Sequence, residues 1–137
     1  MIYETTYNNP KVNEAIDLEV GGAYSFWSRI KMKGIGSQRF SIENTSRNLN
    51  PLRNEVADIN YANFELRPKG LLVHVTKGLE RYVWALPYYK LILFYTSNFS
   101  IHGEGEFIRF KQNNNYNESL GFLRKVMFYK NMFLSQN

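Results

Sequence analysis

The stretch from Asn60 to Lys111 constrains the fold more than any other part of the chain, because turn chemistry recurs in it at short intervals between apolar runs. Pro68-Lys69-Gly70 and Thr76-Lys77-Gly78 are turn sequences: proline presets the first turn residue, and glycine supplies the positive φ of a tight reversal. "NYANFELRPKGLLVHVTKGLERYVWALP" therefore reads as three strands joined by two tight turns. "KLILFYT" reads as another strand, apolar on both faces, and "FSIHG" with "EFIRFK" as a last hairpin turning near Gly103 and Gly105. Upstream, "QRFSIEN" alternates with Phe40 and Ile42 on one side, and residues 45–59 form a connection that includes a short strand around Asn48–Leu52. Parallel strands need crossovers of a dozen or more residues. Connections this short leave an antiparallel meander of about seven strands, bent into a roll or partly open barrel.

Helical signals flank the meander. Asn9-Pro10 is a cap followed by proline at the first helical position. Val12, Ala15, Ile16, Ala23, Phe26, Trp27 and Ile30 then fall on one face at helical spacing, which predicts a helix over residues 9–32. Gly21-Gly22 interrupts it; two mid-helix glycines cost about 2 kcal/mol relative to alanine. Either the helix breaks there or another backbone approaches. At the other end, "QNNNYN" at 112–117 reads as a loop, and Asn115 with Glu118 as a capping box opening a helix over 117–134. Leu120, Phe122, Leu123, Val126, Met127, Tyr129, Phe133 and Leu134 cover a wide arc of that helix. Such an arc must cover something apolar, and the open end of the barrel is the natural place. Lys130 falls within the arc and has to extend its ammonium to water. Phe128 and Met132 fall on the polar arc, beside Arg124 and Asn131, as a candidate partner contact.

At 137 residues the chain is one α+β domain, residues 1–137, with an N-terminal helix at 9–32, barrel strands at 38–111 and a C-terminal capping helix at 117–134. It has no cysteine, which removes disulfide frameworks, thiolate zinc sites and cysteine nucleophiles and suits a reducing, cytoplasmic setting. No apolar run reaches the length of a membrane-spanning helix.

The order of elements from Gln38 to the end resembles a pleckstrin-homology-like domain, in which seven strands are capped by a C-terminal helix. "GLLVHVTKGLERYVWALPYYKLILF" is similar to the strand–turn–strand pattern of small bacterial domains of that class. The resemblance covers about a hundred residues and leaves out the leading helix. It implies a scaffold for binding peptides, proteins or lipids. Lipid-binding members carry closely spaced bases across the first hairpin and a tryptophan in the closing helix. Here that hairpin offers Arg39, with Lys31 and Lys33 before it and Arg47 after, and the tryptophans are Trp27 and Trp84. Phosphoinositide recognition is not implied residue by residue.

Charge placement gives one candidate surface. The net charge is +5, and residues 29–53 hold Arg29, Lys31, Lys33, Arg39, Arg47 and Arg53 against Glu43 alone. Such a stretch favours an anionic partner, lipid head group or nucleic acid. Aromatic residues give a second. "RYVWALPYYKLILFYT" holds six of them, but alternation places Tyr82, Trp84 and Leu86 on one face, and rings that share faces with leucine and isoleucine read as core. Pro87-Tyr88-Tyr89 is the exception: its two phenols, lying between strands, do not both point inward easily, so Tyr88 and Tyr89 are candidate contacts.

Catalytic patterns are weak. His102, Glu104 and Glu106 in "HGEGE" would align as metal ligands on a regular strand, but the glycines favour a turn that scatters them, so no metal is expected. His74 in "LLVHVT" reads as a packed histidine with satisfied nitrogens. No serine–histidine–acid set, phosphate loop or paired carboxylates can be assembled; Glu55 and Asp58 lie in a loop. The expectation is a non-catalytic interaction domain without a cofactor, holding another protein or peptide. Recognition of an anionic surface is the alternative, and a small ligand in the barrel mouth is a third reading that a filled interior would remove.

Overall fold

The computed structural model describes residues 1–37, 39–47, 49, 61–95, 98–111 and 116–136, apart from the side chains of 116–119. Eight strands and three α-helices run in the order β1 (Ile2–Glu4), α1 (Pro10–Val20), α2 (Phe26–Lys31), β2 (Phe40–Thr45), β3 (Tyr61–Arg67), β4 (Gly70–Lys77), β5 (Glu80–Pro87), β6 (Ile92–Tyr95), β7 (Phe99–Gly103), β8 (Glu106–Phe110) and α3 (Tyr116–Ser135). The strands make one antiparallel sheet in the order β1-β5-β4-β3-β2-β8-β7-β6, with β1 and β6 at its ends. The seven strands of the meander are as expected in number. The eighth, β1, comes from ahead of the first helix, where three residues are too few for alternation to register.

β2 is shared between two halves of the sheet. Its first residues, Phe40 and Ser41, pair with β3; from Ile42 on it pairs with β8, with an irregularity in that pairing between Ile42 and Asn44. Ahead of β2, residues 35–37 continue the pairing along β3: Leu66 donates its N–H to the Ile35 carbonyl at 2.8 Å and Ser37 to that of Phe64 at 2.9 Å. A bulge sharpens local bend and twist. The two halves thus fold over one core, in which Phe40, Phe64, Phe99 and Phe110 lie with ring centroids 5.0–6.1 Å apart. Trp84 and Leu86 of β5 point into that core and Tyr82 packs against it, as alternation requires. The phenylalanine rings pack against one another between the halves.

α3 closes this core. Leu123 and Val126 are buried, Phe122 stacks on Phe64 with centroids 6.0 Å apart, and Phe133 meets Tyr88 at 5.7 Å. The helix begins at Tyr116 rather than at residue 117; the proposed cap at Asn115 and the connecting strand at Asn48–Leu52 fall outside the described residues, except for buried Leu49. Its apolar arc is narrower than the sequence suggests: Met127 and Leu134, expected to cover the core, are exposed. Lys130 does not reach for bulk water as expected; its ammonium donates to the Leu91 carbonyl, and burial lowers its pKa.

The leading helix is two helices. Gly21 ends α1 with φ 84°, so the helix breaks there; what approaches it is the Pro68 ring, 3.2 Å from where a Cβ would sit, rather than another backbone. The predicted single face splits with it. Val12, Ile16 and Val20 of α1 pack on Leu72, Val83 and Ala85, the outer face of β4 and β5, so these strands are buried on both sides. Phe26, Trp27 and Ile30 of α2 are in solvent. The Asn9 side chain caps α1 as expected, accepting from Lys11 N–H at 3.0 Å. At its other end, carbonyls are taken by Lys69 N–H on Val20 at 2.8 Å and by Arg67 Nη1 on Gly21 at 2.9 Å.

Gly70 has a different role from the one expected. Its φ is not positive; it opens β4 where α1, β4 and β5 converge, and a Cβ would sit 2.4 Å from the Leu86 carbonyl oxygen and 2.6 Å from a Val20 methyl. Gly70→Ala should lower stability by about 1–3 kcal/mol in urea unfolding, the range for overpacking. Gly22→Ala, where a Cβ meets nothing within 4 Å, should leave the transition in place.

Beside α1, Glu65 accepts from Arg67 Nε at 2.6 Å and pairs with His74 Nε2 at 3.0 Å, while Arg67 Nη1 also reaches Asp17 at 3.0 Å. This satisfies His74 as expected. Burial opposes ionisation of Glu65, but the hydrogen bonds from His74 and Arg67 prevail and hold its pKa at about 2, below the usual 4.5. A carboxylate with a depressed folded pKa stabilises the fold above its unfolded pKa, and that contribution is lost as pH falls from 4.5 toward 2. Glu65→Gln should cost about 1.5–3 kcal/mol at neutral pH, the worth of charged hydrogen bonds. The loss should shrink across that acid window in unfolding curves measured at successive pH values.

Candidate functional site

Each half of the sheet has an outer face, and among the described residues a helix, α1, covers that of β4 and β5. On the other half, register places Ile92 and Phe94 of β6, Ser100 and His102 of β7, and Phe107 and Arg109 of β8 on a common outward face. Ile92 is 51% exposed and Phe94 48%. "KLILFYT" was read as apolar on both faces, which would suit a strand covered on both sides. The observed β6 instead ends the sheet, buries Leu91 just before it, and turns Ile92 and Phe94 to solvent.

The side chains on this face form a row. Phe94 and His102 meet edge to face at 4.6 Å, His102 stacks on Phe107 at 5.5 Å, and the Arg109 guanidinium lies 5.8 Å from the Phe107 ring centroid. Ser100 Oγ holds the His102 Nε2 at 3.0 Å. Burial, and then the nearby Arg109 charge, lower the His102 pKa, so the imidazole at neutral pH is an uncharged ring within an aromatic row. The "HGEGE" acids are scattered by the turn, as expected: Glu104 has φ 55° and faces the Met1 amine, and Glu106 accepts from Ser46 Oγ. Among the described residues no group of three such side chains is placed to hold a metal.

The bases of the 29–53 stretch belong to several elements. Arg29, Lys31 and Lys33 lie on or just after α2, all exposed. Arg39 precedes β2 and Arg47 follows it, with the strand between them, roughly 20 Å at 3.3 Å per residue. Arg53 lies outside the described residues, as do Glu55 and Asp58. The two tyrosines divide as steric reasoning required. Tyr88 is fully buried, its hydroxyl donating to the Arg67 carbonyl at 2.9 Å and its pKa raised by burial, so it is no surface contact. Tyr89 is 67% exposed, with the Lys90 ammonium 5.5 Å from its ring centroid. Phe128 and Met132 are exposed one turn apart on the outer side of α3.

Two groups escaped sequence reasoning: Ile92 and Phe94, whose exposure follows from β6 being last in the sheet, and Phe26, Trp27 and Ile30, whose spacing continued a helix face past its break. No family model matches the chain, and no curated protein or solved structure does so either. No helix is long and apolar enough to cross a membrane among the described residues.

If the outward row serves binding rather than packing, Phe94→Ser should change stability by less than about 0.5 kcal/mol in urea unfolding. Tyr88→Phe, which removes the hydrogen bond of the hydroxyl to the Arg67 carbonyl, should cost about 1 kcal/mol.

Proposed function

We propose that this protein is a non-catalytic interaction domain that holds an extended peptide segment of another protein as an added strand beside β6. The observation that carries the reading is the position of β6: last in the sheet, paired with β7 alone among the described residues, with Ile92 and Phe94 half-exposed. A sheet edge supplies main-chain donors and acceptors for affinity, and side chains at alternate positions supply selectivity. Ile92, Phe94 and the row behind them would receive the outward side chains of the guest strand. Lys90 lies 3.8 Å from Glu104 just ahead of β6, Arg109 lies beside Phe107, and Glu43 accepts from Asn98 just ahead of β7; bases and acids are thus mixed here, which favours an apolar segment of low net charge over a polyanion. The strand order β5-β4-β3-β2-β8-β7-β6, closed by α3, supports reading residues 40–135 as a pleckstrin-homology-like roll, a scaffold suited to such a role.

A library of displayed peptides selected against the full chain should yield binders with apolar residues at alternate positions. Amide shifts on adding a selected peptide should cluster at Ile92–Tyr95, and Phe94→Lys should weaken binding by about tenfold or more. Shifts confined to another element, with Phe94→Lys binding as tightly as the parent, would remove the reading.

A further inference from the structure

A second exposed apolar surface lies on α2, far simpler than a sheet edge and of different chemistry. Phe26 is 68% exposed, Trp27 71% and Ile30 54%. At about 100° per residue, Phe26, Ile30 and Trp27 occupy one arc of the helix, Arg29 borders it beside Phe26, Lys31 borders it beside Trp27, and Ser28 faces the body. Lys33 follows at the helix end. No acidic residue occurs between Glu19 and Glu43, while Arg29, Lys31, Lys33 and Arg39 do. Among the described residues, none of Arg29, Lys31 and Lys33 forms an ion pair with a carboxylate.

The ridge is held firmly by other contacts. Ser25 caps α2 by accepting from Ser28 N–H at 3.3 Å. Lys125 Nζ of α3 donates to the carbonyls of Lys33 at 3.3 Å and Gly34 at 3.0 Å. Tyr24, Met32 and Ile35 pack on the core, so both ends of α2 are anchored while its apolar arc faces out.

Charge and shape together select the occupant. A ridge of three side chains is convex and well below the roughly 800 Å² per partner of a stable protein interface. A second copy related by a two-fold axis would bring Arg29, Lys31 and Lys33 against their own equivalents. A bilayer accepts a convex ridge, takes aromatic and aliphatic side chains at the headgroup–acyl boundary, and, when anionic, attracts bases at that depth. We propose that α2 is a membrane-contact element: Phe26, Trp27 and Ile30 enter the boundary region of an anionic phospholipid bilayer, while Arg29, Lys31 and Lys33 remain among its head groups. The surface is separate from the β6 edge, so a failure of one does not touch the other.

Trp84 is buried and Trp27 exposed, so a change in tryptophan emission on adding vesicles reports Trp27. Phosphatidylcholine vesicles containing about one third phosphatidylserine should shift the emission of the full chain to the blue and carry it down on sedimentation, and high salt should abolish both effects. Phosphatidylcholine alone should do so far less. Phe26→Ser/Trp27→Ser/Ile30→Ser should reduce sedimentation with the anionic vesicles by about tenfold or more, and so should Lys31→Glu/Lys33→Glu, which leaves the apolar arc intact should the first variant fold poorly. Phe94→Lys should have no effect. Unchanged emission with anionic vesicles, equal binding to neutral ones, or a dimer that the ridge substitutions dissolve would each overturn the proposal.

Discussion

Phe40, Phe64, Phe99 and Phe110 hold the structure together, because they come from β2, β3, β7 and β8 and so from both halves of the sheet. Aromatic side chains bury 150–250 Å² each, and their mutual contacts add to that burial. Four of them in one cluster make a flat sheet unfavourable, since a flat sheet would leave half the rings in water. The sheet must bend, and β2 is where it does, changing partners from β3 at Ser41 to β8 at Ile42 just ahead of the Ile42–Asn44 irregularity. Everything else is placed by that bend. α3 has an opening to close, α1 has the outer face of β4 and β5 to cover, and Ile92, Phe94 and Arg109 on the outer face of β6 and β8 stay exposed.

Much of this was legible in the residues, for identifiable reasons. The reversals after Arg67 and Lys77 are set locally, and Gly78 takes the positive φ that its turn requires. Trp84 and Leu86 share a face because the side-chain period of a strand is two. α3 showed itself through a wide apolar arc. What failed was inference about the second side of an element. Val83 and Ala85 could be seen to oppose Trp84, but nothing local says that α1 lies over them. β1 was missed because three residues carry no period. The helix face from Val12 to Ile30 was drawn through Gly21, although once φ turns positive the angular relation of the next helix to the last is lost. Gly70 was assigned to a turn for its conformation, when the reason is how closely Val20 and Leu86 approach it.

The candidate surfaces were harder to read, for a physical reason. Ile92 and Phe94 have the composition of core residues, and their exposure depends only on where β6 falls in the sheet order, a fact of topology rather than of sequence. That Tyr88 and Tyr89 would not both be buried was legible, but which of them faces the core depends on the turn into β6, and both stood as candidate contacts. The basic stretch was visible as charge, but β2 runs through it, and a strand carries its two ends apart. Three of its bases, Arg29, Lys31 and Lys33, lie on or just after α2.

Apolar side chains that project into water from firmly held elements do nothing for the fold that carries them. Phe26, Trp27 and Ile30 on α2, and Ile92 and Phe94 on β6, could be replaced by polar residues without disturbing the phenylalanine cluster, the α1 contact or the closure by α3. The unfolded chain exposes them as well, so their hydrophobicity contributes little to the difference between the two states. Their rigid presentation does matter to association, because a side chain already fixed in its binding position loses little freedom when it is covered. Stability and recognition therefore rest on different residues of this chain, which allows substitutions in either surface to be interpreted as effects on binding.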